Sequence, residues 1–187
     1  MTSARGPVVV LTGFMGSGKS TVGRALAHAL GVGFVDTDAE VERRSGRTIP
    51  EIFATDGEPA FRAIERDVVL DVLTGHRGVV ALGGGSVTVP EIAAALAHHH
   101  VVYLDVTPEV GFARVAASDR PLLRAPDPAS RYAALLADRV GAYRAVATRS
   151  VDGGDAVDTI VEAIRAGLPE PADADSPANP PSQEDRI

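Results

Sequence analysis

The sequence predicts an α/β fold, in which short apolar strands alternate with helices along one domain. Apolar runs of strand length recur along the chain, and segments with apolar residues at helical spacing separate them. A glycine-rich loop joins the first run to the first helix, as is common in parallel α/β sheets. The predicted strands cover residues 8–11, 33–35, 79–82, 101–105 and 150–152.

The glycine-rich loop over residues 13–20 reads Gly-Phe-Met-Gly-Ser-Gly-Lys-Ser and fits G-x-x-x-x-G-K-[ST] at every fixed position. A β-branched run precedes it, and a helical pattern that Gly31 would end follows it. Strand, loop and helix together distinguish a phosphate-binding loop from a glycine-rich turn that happens to contain Lys-Ser. The sequence therefore predicts that the chain binds a nucleoside triphosphate.

Each residue type in this loop has a physical role. The glycines let backbone N–H groups point inward at phosphate oxygens, and the following helix adds the positive end of its dipole. Lys19 would reach the β- and γ-phosphates, and the Ser20 hydroxyl would bind Mg²⁺. The predicted nucleotide-binding residues of the loop are Gly16, Ser17, Gly18, Lys19, Ser20 and Thr21.

Composition narrows the class of protein further. The 187 residues contain no cysteine and carry a net charge of −7, which argues against a broad nucleic-acid-binding face. No apolar run approaches the ~20 residues that span a bilayer. The N-terminus also lacks the layout of a signal peptide. We expect a cytoplasmic protein without a membrane partner.

Charged residues follow the second strand and line a later helix. Asp36 and Asp38 are two residues apart on a segment predicted to be extended, so both should project to the same side. The alternative makes Asp38 only the N-cap of the next helix. Arg62 and Glu65 are three apart and share a helix face, so Glu65 can orient the guanidinium, although a surface ion pair would show the same spacing.

Two further segments are candidates for ligand binding. Residues 83–85 are three glycines at the end of a predicted core strand, where a ligand can approach the backbone closely. Residues 118–128 are rich in proline and charge, as is typical of a lid or a mobile connection.

His98, His99 and His100 are consecutive and cannot converge on one metal from a helix, so metal binding there is disfavoured.

In their order along the chain, these motifs resemble those of the shikimate kinases. The resemblance covers about residues 7–166 and adds Gly57-Glu58, Arg120-Pro121-Leu122 and Arg139 before Tyr143 to the motifs above. It implies a three-layer P-loop kinase fold, with a five-stranded parallel sheet flanked by helices and a mobile lid at about 114–128. It also implies ATP-dependent phosphorylation of the 3-hydroxyl of shikimate in aromatic amino acid biosynthesis, by a monomer.

The family's roles fall on matching residues. The resemblance implies Lys19, Asp38 and Arg120 as catalytic residues, with Arg120 also binding nucleotide from the lid. Ser20, with Asp36 behind it, would serve Mg²⁺. The implied shikimate-binding residues are Asp38, Arg62, Arg139, Gly84 and Gly85, with Phe53 and Phe61 as the apolar wall.

Departures from the family pattern leave some points open. Residues 152–155 form a shorter adenine-side loop without basic residues, and Arg114 is the nearest candidate for the first lid arginine. Two competing interpretations remain. The chain could be a kinase of another small hydroxylated acid such as gluconate, or a protein that binds ATP without transferring phosphate. Residues 168–187 are rich in Pro, Ala, Asp, Ser and Asn, and this composition predicts a disordered tail after a domain of 1–167.

The lid arginine gives the first testable prediction. If Arg120 stabilises charge on the transferring phosphoryl group, Arg120→Ala should lower kcat by ~10²-fold or more, with a smaller effect on the KM for shikimate. Steady-state kinetics measures both constants, and circular dichroism checks that the variant is folded. A kcat near the wild-type value would remove Arg120 from the catalytic residues.

Overall fold

A computed structural model describes residues 6–116, 123 and 125–168 of the chain. Its five strands are β1 Val9–Thr12, β2 Phe34–Asp36, β3 Val79–Ala81, β4 Val101–Asp105 and β5 Arg149–Asp152. They form one sheet in the order β2-β3-β1-β4-β5, and every neighbouring pair is parallel. The predicted five-stranded parallel sheet is confirmed, with strand ends within one residue of those predicted.

Seven α-helices lie within the described residues, and they cover both faces of the sheet. They are α1 Lys19–Leu30, α2 Thr37–Ser45, α3 Ile49–Gly75, α4 Pro90–Leu96, α5 Pro108–Val115, α6 Pro128–Val146 and α7 Val157–Arg165. In the part of the chain that the structure describes, no helix is both long and apolar enough to cross a membrane.

The three layers follow from the alternation of side chains along each strand. In β1, Val9 and Leu11 point into a core with α1 and α7, whereas Val10 points into the opposite core with α3 and α6. All three of these residues are fully buried. A strand that is apolar on both faces is what a sheet with helices on both sides requires.

Helix α3 is bent at the pair Asp56-Gly57, a sequence that is typical of turns and predicts a break there. The helix begins with a capping box of Thr48 and Glu51, and its backbone leaves the helical conformation at Gly57, with φ 81° and ψ 172°. These angles are accessible essentially only to glycine. The bend brings Phe53 and Phe61, on either side of it, to a ring centroid distance of 4.7 Å.

The starts of two helices differ from the sequence predictions. Asp36 ends β2 and accepts a hydrogen bond from the Asp38 N–H, so α2 begins at Thr37 and Asp38 is already helical. The prediction of an extended segment through both aspartates is wrong, and so is the alternative of Asp38 as the N-cap. For helix α6 the sequence predicts Ser130 as the N-cap, because serine is common at that position. The structure shows instead that Asp127 caps α6 and accepts a hydrogen bond from the Ser130 N–H.

Within the predicted lid, the structure describes residues 114–116, 123 and 125–128. Arg114 lies in α5, and α6 begins at Pro128. Arg120 lies outside the described residues, as does most of the predicted tail at 168–187.

The bend in α3 predicts a difference between two glycine-to-alanine variants. Gly57→Ala should lower the free energy of unfolding by ~1–3 kcal/mol, because alanine is strained at this φ and ψ. Gly141 is the matched control, since it lies inside α6 and a methyl group there would meet nothing within 4 Å. Gly141→Ala should raise stability by ~0.5–1 kcal/mol. Urea unfolding measures both changes, and equal effects would contradict the role given to Gly57.

Candidate active site

Two glycine loops lie side by side at the carboxyl edge of the sheet. The loop at residues 13–18 follows β1, the loop at 83–85 follows β3, and these two strands are neighbours. A Cβ atom on Gly84 would lie 3.7 Å from both the Gly13 carbonyl oxygen and the Met15 nitrogen. This edge is where ligands bind in parallel α/β sheets.

The phosphate loop is packed so closely that two of its three glycines cannot be replaced without displacing neighbours. A Cβ on Gly13 would lie 2.7 Å from the Leu104 carbonyl oxygen, and one on Gly16 would collide with the Gly111 carbonyl oxygen of α5. Both glycines also have positive φ. Gly18 has the left-handed conformation and is the N-cap of α1, and no side chain among the described residues caps this helix. The N-terminus of α1 therefore faces the loop.

The polar side chains of this loop are arranged for an anion and a cation. Lys19 Nζ donates to the carbonyl oxygens of Gly13 and Phe14 at 2.7 and 3.0 Å, which holds the ammonium group at the loop. The buried Ser17 Oγ has no hydrogen-bond partner among the described residues. Ser20 Oγ donates to Asp36 Oδ2 at 2.5 Å, and together these oxygens form a donor set suited to Mg²⁺. Thr21 lies in the first turn of α1 and is exposed.

Arg62 is held by a carboxylate that is almost completely buried. Arg62 Nη1 lies 2.6 Å from Glu65 Oε2, and the Glu65 side chain is 1% exposed. Burial lowers the pKa of Arg62, but the hydrogen bond and charge of Glu65 outweigh burial and raise the pKa above its ordinary value. Ser86 Oγ donates to the other oxygen of Glu65 at 2.7 Å. The predicted shared face of Arg62 and Glu65 is confirmed, and the partner carboxylate belongs to the core.

The second glycine loop brings the carboxylate of Asp38 to the same place. A Cβ on Gly83 would collide with Asp38 Oδ1, and it would lie 2.9 Å from Glu65 Oε1. A Cβ on Gly85 would lie 2.6 Å from Arg62 Nη1. Glycines at 83 and 85 therefore leave the space in which Asp38 and Arg62 approach the loop backbone.

Helix α6 supplies a second arginine to this cluster. Arg139 Nη1 donates to the Gly84 carbonyl oxygen at 3.4 Å, and its guanidinium carbon lies 5.3 Å from the centre of the Phe14 ring. Phe61 is buried and Phe53 is partly exposed, so the two rings form an apolar side of the cluster. The structure thus brings together the predicted substrate-binding residues Asp38, Arg62, Gly84, Gly85, Arg139, Phe53 and Phe61.

Sequence reasoning missed several contacts of the site. Tyr132 Oη donates to the Met15 carbonyl oxygen at 2.6 Å, and Tyr143 Oη donates to the Gly84 carbonyl oxygen at 2.5 Å. Burial raises the pKa of Tyr143 to about 12, so the hydroxyl keeps its proton. The hydroxyl of a tyrosine among apolar helix residues was the available signal, since buried phenols find a partner.

Arg114, the nearest candidate for the first lid arginine, bridges two loops. Its Nη1 donates to the Gly153 carbonyl oxygen at 2.7 Å and to the Gly16 carbonyl oxygen at 3.2 Å. It therefore joins the phosphate loop to the short loop after β5, which the resemblance predicts to lie on the adenine side.

The comparison with protein families matches residues 15–168 of this chain to the family described as shikimate kinase. The chain belongs to the shikimate kinase family. It is 57% identical over 147 residues to the shikimate kinase of Mycobacterium avium (strain 104), covering 78% of this chain and 84% of the relative. It is 48% identical over 175 residues to that of Mycobacterium marinum (strain ATCC BAA-535 / M), covering 92% and 95%.

A solved structure agrees with these relatives. The shikimate kinase from Acinetobacter baumannii in complex with shikimate superposes with a TM-score of 0.79 at 35% identity, covering 87% of this chain and 94% of that one. The predicted family, the kinase activity and the three-layer P-loop kinase fold are confirmed. The competing interpretations as a gluconate kinase or as a non-catalytic ATP-binding protein are not favoured.

The buried carboxylate predicts different outcomes for the two acidic partners of Arg62. Glu65→Gln should lower the free energy of unfolding by ~1–3 kcal/mol, because it removes a buried charge-assisted partner. Glu58 also contacts Arg62, at 3.1 Å, but its side chain is 63% exposed, so Glu58→Gln should cost less than ~0.5 kcal/mol. Denaturant unfolding separates the two, and equal losses would show that burial does not determine the strength of the pair.

Proposed function

We propose that this shikimate kinase uses Lys19, Asp38, Arg62 and Arg139 to transfer the γ-phosphoryl group of ATP to the 3-hydroxyl of shikimate, giving shikimate 3-phosphate and ADP. One observation carries the assignment of these residues. The glycine loop that gathers Asp38 and both arginines lies directly against the loop that carries Lys19. A phosphate site next to an acid-binding site is the arrangement that this transfer needs.

The nucleotide side acts through charge and position. The phosphate-loop amides, the start of α1 and Lys19 provide positive potential for the phosphates. The hydroxyl of Ser17, buried without a protein partner among the described residues, fits a phosphate oxygen as its partner. Arg114, bound to the loop after β5, is the candidate for contacts to the purine.

Ser20 and Asp36 would hold Mg²⁺, Ser20 through its hydroxyl and Asp36 from behind it. The 2.5 Å approach of their oxygens is the observation that supports this site. Two protein oxygens suit Mg²⁺, which usually binds one or two protein groups and completes its shell with phosphates and water. The ion would neutralise charge on the phosphate oxygens.

The substrate side selects a small acid with hydroxyl groups. Arg62 and Arg139 would bind the carboxylate of shikimate, because two guanidinium groups match the geometry and charge of a carboxylate. The Gly84 and Gly85 backbone would approach the substrate closely, and Phe53 and Phe61 would contact the apolar part of its ring. Asp38 would orient the 3-hydroxyl and accept its proton as the oxygen attacks the γ-phosphorus.

Other parts of the function stay predictions. Arg120, outside the described residues, would neutralise charge on the transferring group from the lid. Exclusion of water by that lid would prevent hydrolysis of ATP. The monomeric state and the cytoplasmic location rest on the sequence and on the resemblance.

A coupled assay of ADP release tests the proposal. ADP release should depend on shikimate, should be slow without it, and should not be stimulated by gluconate. Lys19→Ala should lower the rate by ~10²-fold or more without loss of fold, because Lys19 serves the phosphates and not the core. ADP release that is independent of shikimate, or normal turnover by folded Lys19→Ala, would contradict the assignment.

A further inference from the structure

Two tyrosines of one helix each hold the backbone of one ligand loop. Tyr132 donates to the Met15 carbonyl oxygen in the phosphate loop, and Tyr143 donates to the Gly84 carbonyl oxygen in the glycine loop at residues 83–85. Both side chains are fully buried. We propose that Tyr132 and Tyr143 are positioning residues, Tyr132 for the nucleotide and Tyr143 for shikimate, and the assignment rests on the function proposed above.

The spacing along α6 makes this division possible. Tyr132 and Tyr143 are eleven residues apart, which is within about 20° of three full turns, so both project from the same face of α6. The separation along the axis is ~16 Å. Arg139, seven residues after Tyr132, lies on the same face and reaches the same Gly84 carbonyl. One straight face of α6 thus contacts both loops.

The contact of Tyr143 fixes the direction of more than one atom. A peptide unit is planar and trans, so holding the Gly84 carbonyl oxygen also sets the direction of the Gly85 N–H. Within the described residues, neither the Gly84 nor the Gly85 N–H donates to a protein acceptor. Tyr143 therefore orients the Gly85 N–H, a donor that remains available to a bound acid.

The Tyr132 hydroxyl reaches the phosphate loop where the backbone of α5 packs closely against that loop. A Cβ on Gly16 would collide with the Gly111 carbonyl oxygen, and a Cβ on Gly111 would collide with the Tyr132 Oη. The Tyr132 ring also packs edge-on against Phe14, with centroids 5.0 Å apart. The absence of a side chain at Gly111 gives the Tyr132 hydroxyl access to the phosphate loop.

The matched control is a third buried tyrosine, whose hydroxyl bonds to neither loop among the described residues. Tyr103 lies in β4, stacks on Tyr143 at a centroid distance of 5.2 Å and donates to Asp105 Oδ1. Tyr103→Phe therefore removes a hydroxyl from the same core without touching either loop. It reports what loss of a buried tyrosine hydroxyl does to the enzyme in general.

The test compares the three Tyr→Phe variants of the full chain by steady-state kinetics. Tyr132→Phe should raise the KM for ATP by about five- to twentyfold with little change in the KM for shikimate, since a buried carbonyl loses its donor. Tyr143→Phe should raise the KM for shikimate by a similar factor with little change for ATP. Tyr103→Phe should leave both KM values close to those of the wild type.

Ligand-induced shifts in Tm keep the test decisive when a variant is destabilised. ADP should raise the Tm of Tyr132→Phe less than that of the wild type, and shikimate should raise the Tm of Tyr143→Phe less. The assignment of Tyr132 to the nucleotide and Tyr143 to shikimate would be overturned by either of two results. One is an equal loss of the ADP-induced and shikimate-induced Tm shifts in either variant, and the other is wild-type Tm shifts in all three variants. Failure of the wild type to phosphorylate shikimate would instead refute the proposed function, while Tyr132→Phe would still test the nucleotide half by ADP binding.

Discussion

The position of β1 between β3 and β4 is the constraint on which the site depends. In a parallel sheet all carboxyl ends lie at one edge, so the loops after β1 and β3 become neighbours as soon as these strands pair. The approach is one of backbone to backbone, since a Cβ atom on Gly84 would lie 3.7 Å from the Gly13 carbonyl oxygen and from the Met15 nitrogen. Transfer between two ligands requires them to be close, and here the distance is set by the main chain. Side chains then decide which ligands bind.

Burial of Glu65 prepares the acid-binding side before a ligand arrives. A carboxylate that is 1% exposed is costly unless it is paired and hydrogen-bonded. Arg62 and Ser86 supply a cation and a donor, so the guanidinium cannot leave without uncovering that charge. A fixed arginine loses little freedom on binding a carboxylate, and this preorganisation favours binding and orientation. The partly exposed edge of Arg62 would then face the substrate in the proposed function.

Most of the fold and many of the site residues follow from local sequence patterns. Apolar runs predict the strands, the glycine-lysine pattern predicts the phosphate loop, and the i,i+3 spacing predicts the pair of Arg62 and Glu65. The strand-to-helix junction at Asp36 was misjudged because α2 follows β2 with no loop between them. The contacts of Tyr132 and Tyr143 join residues 117 and 59 positions apart, and no local pattern encodes such pairs. They depend on how α6 packs, which is a property of the whole domain.

The same packing bears on the predicted lid at 114–128. Arg114, at its first end, donates to the Gly16 carbonyl oxygen, and Tyr132, just beyond its last residue, donates to the neighbouring Met15 carbonyl oxygen. The described residues Arg114 and Tyr132, on either side of the part of the predicted lid that the structure does not describe, therefore both contact the phosphate loop. Arg120 is six residues from Arg114, and six extended residues span at most ~20 Å. This chain length is compatible with the proposed contact between Arg120 and the nucleotide phosphates.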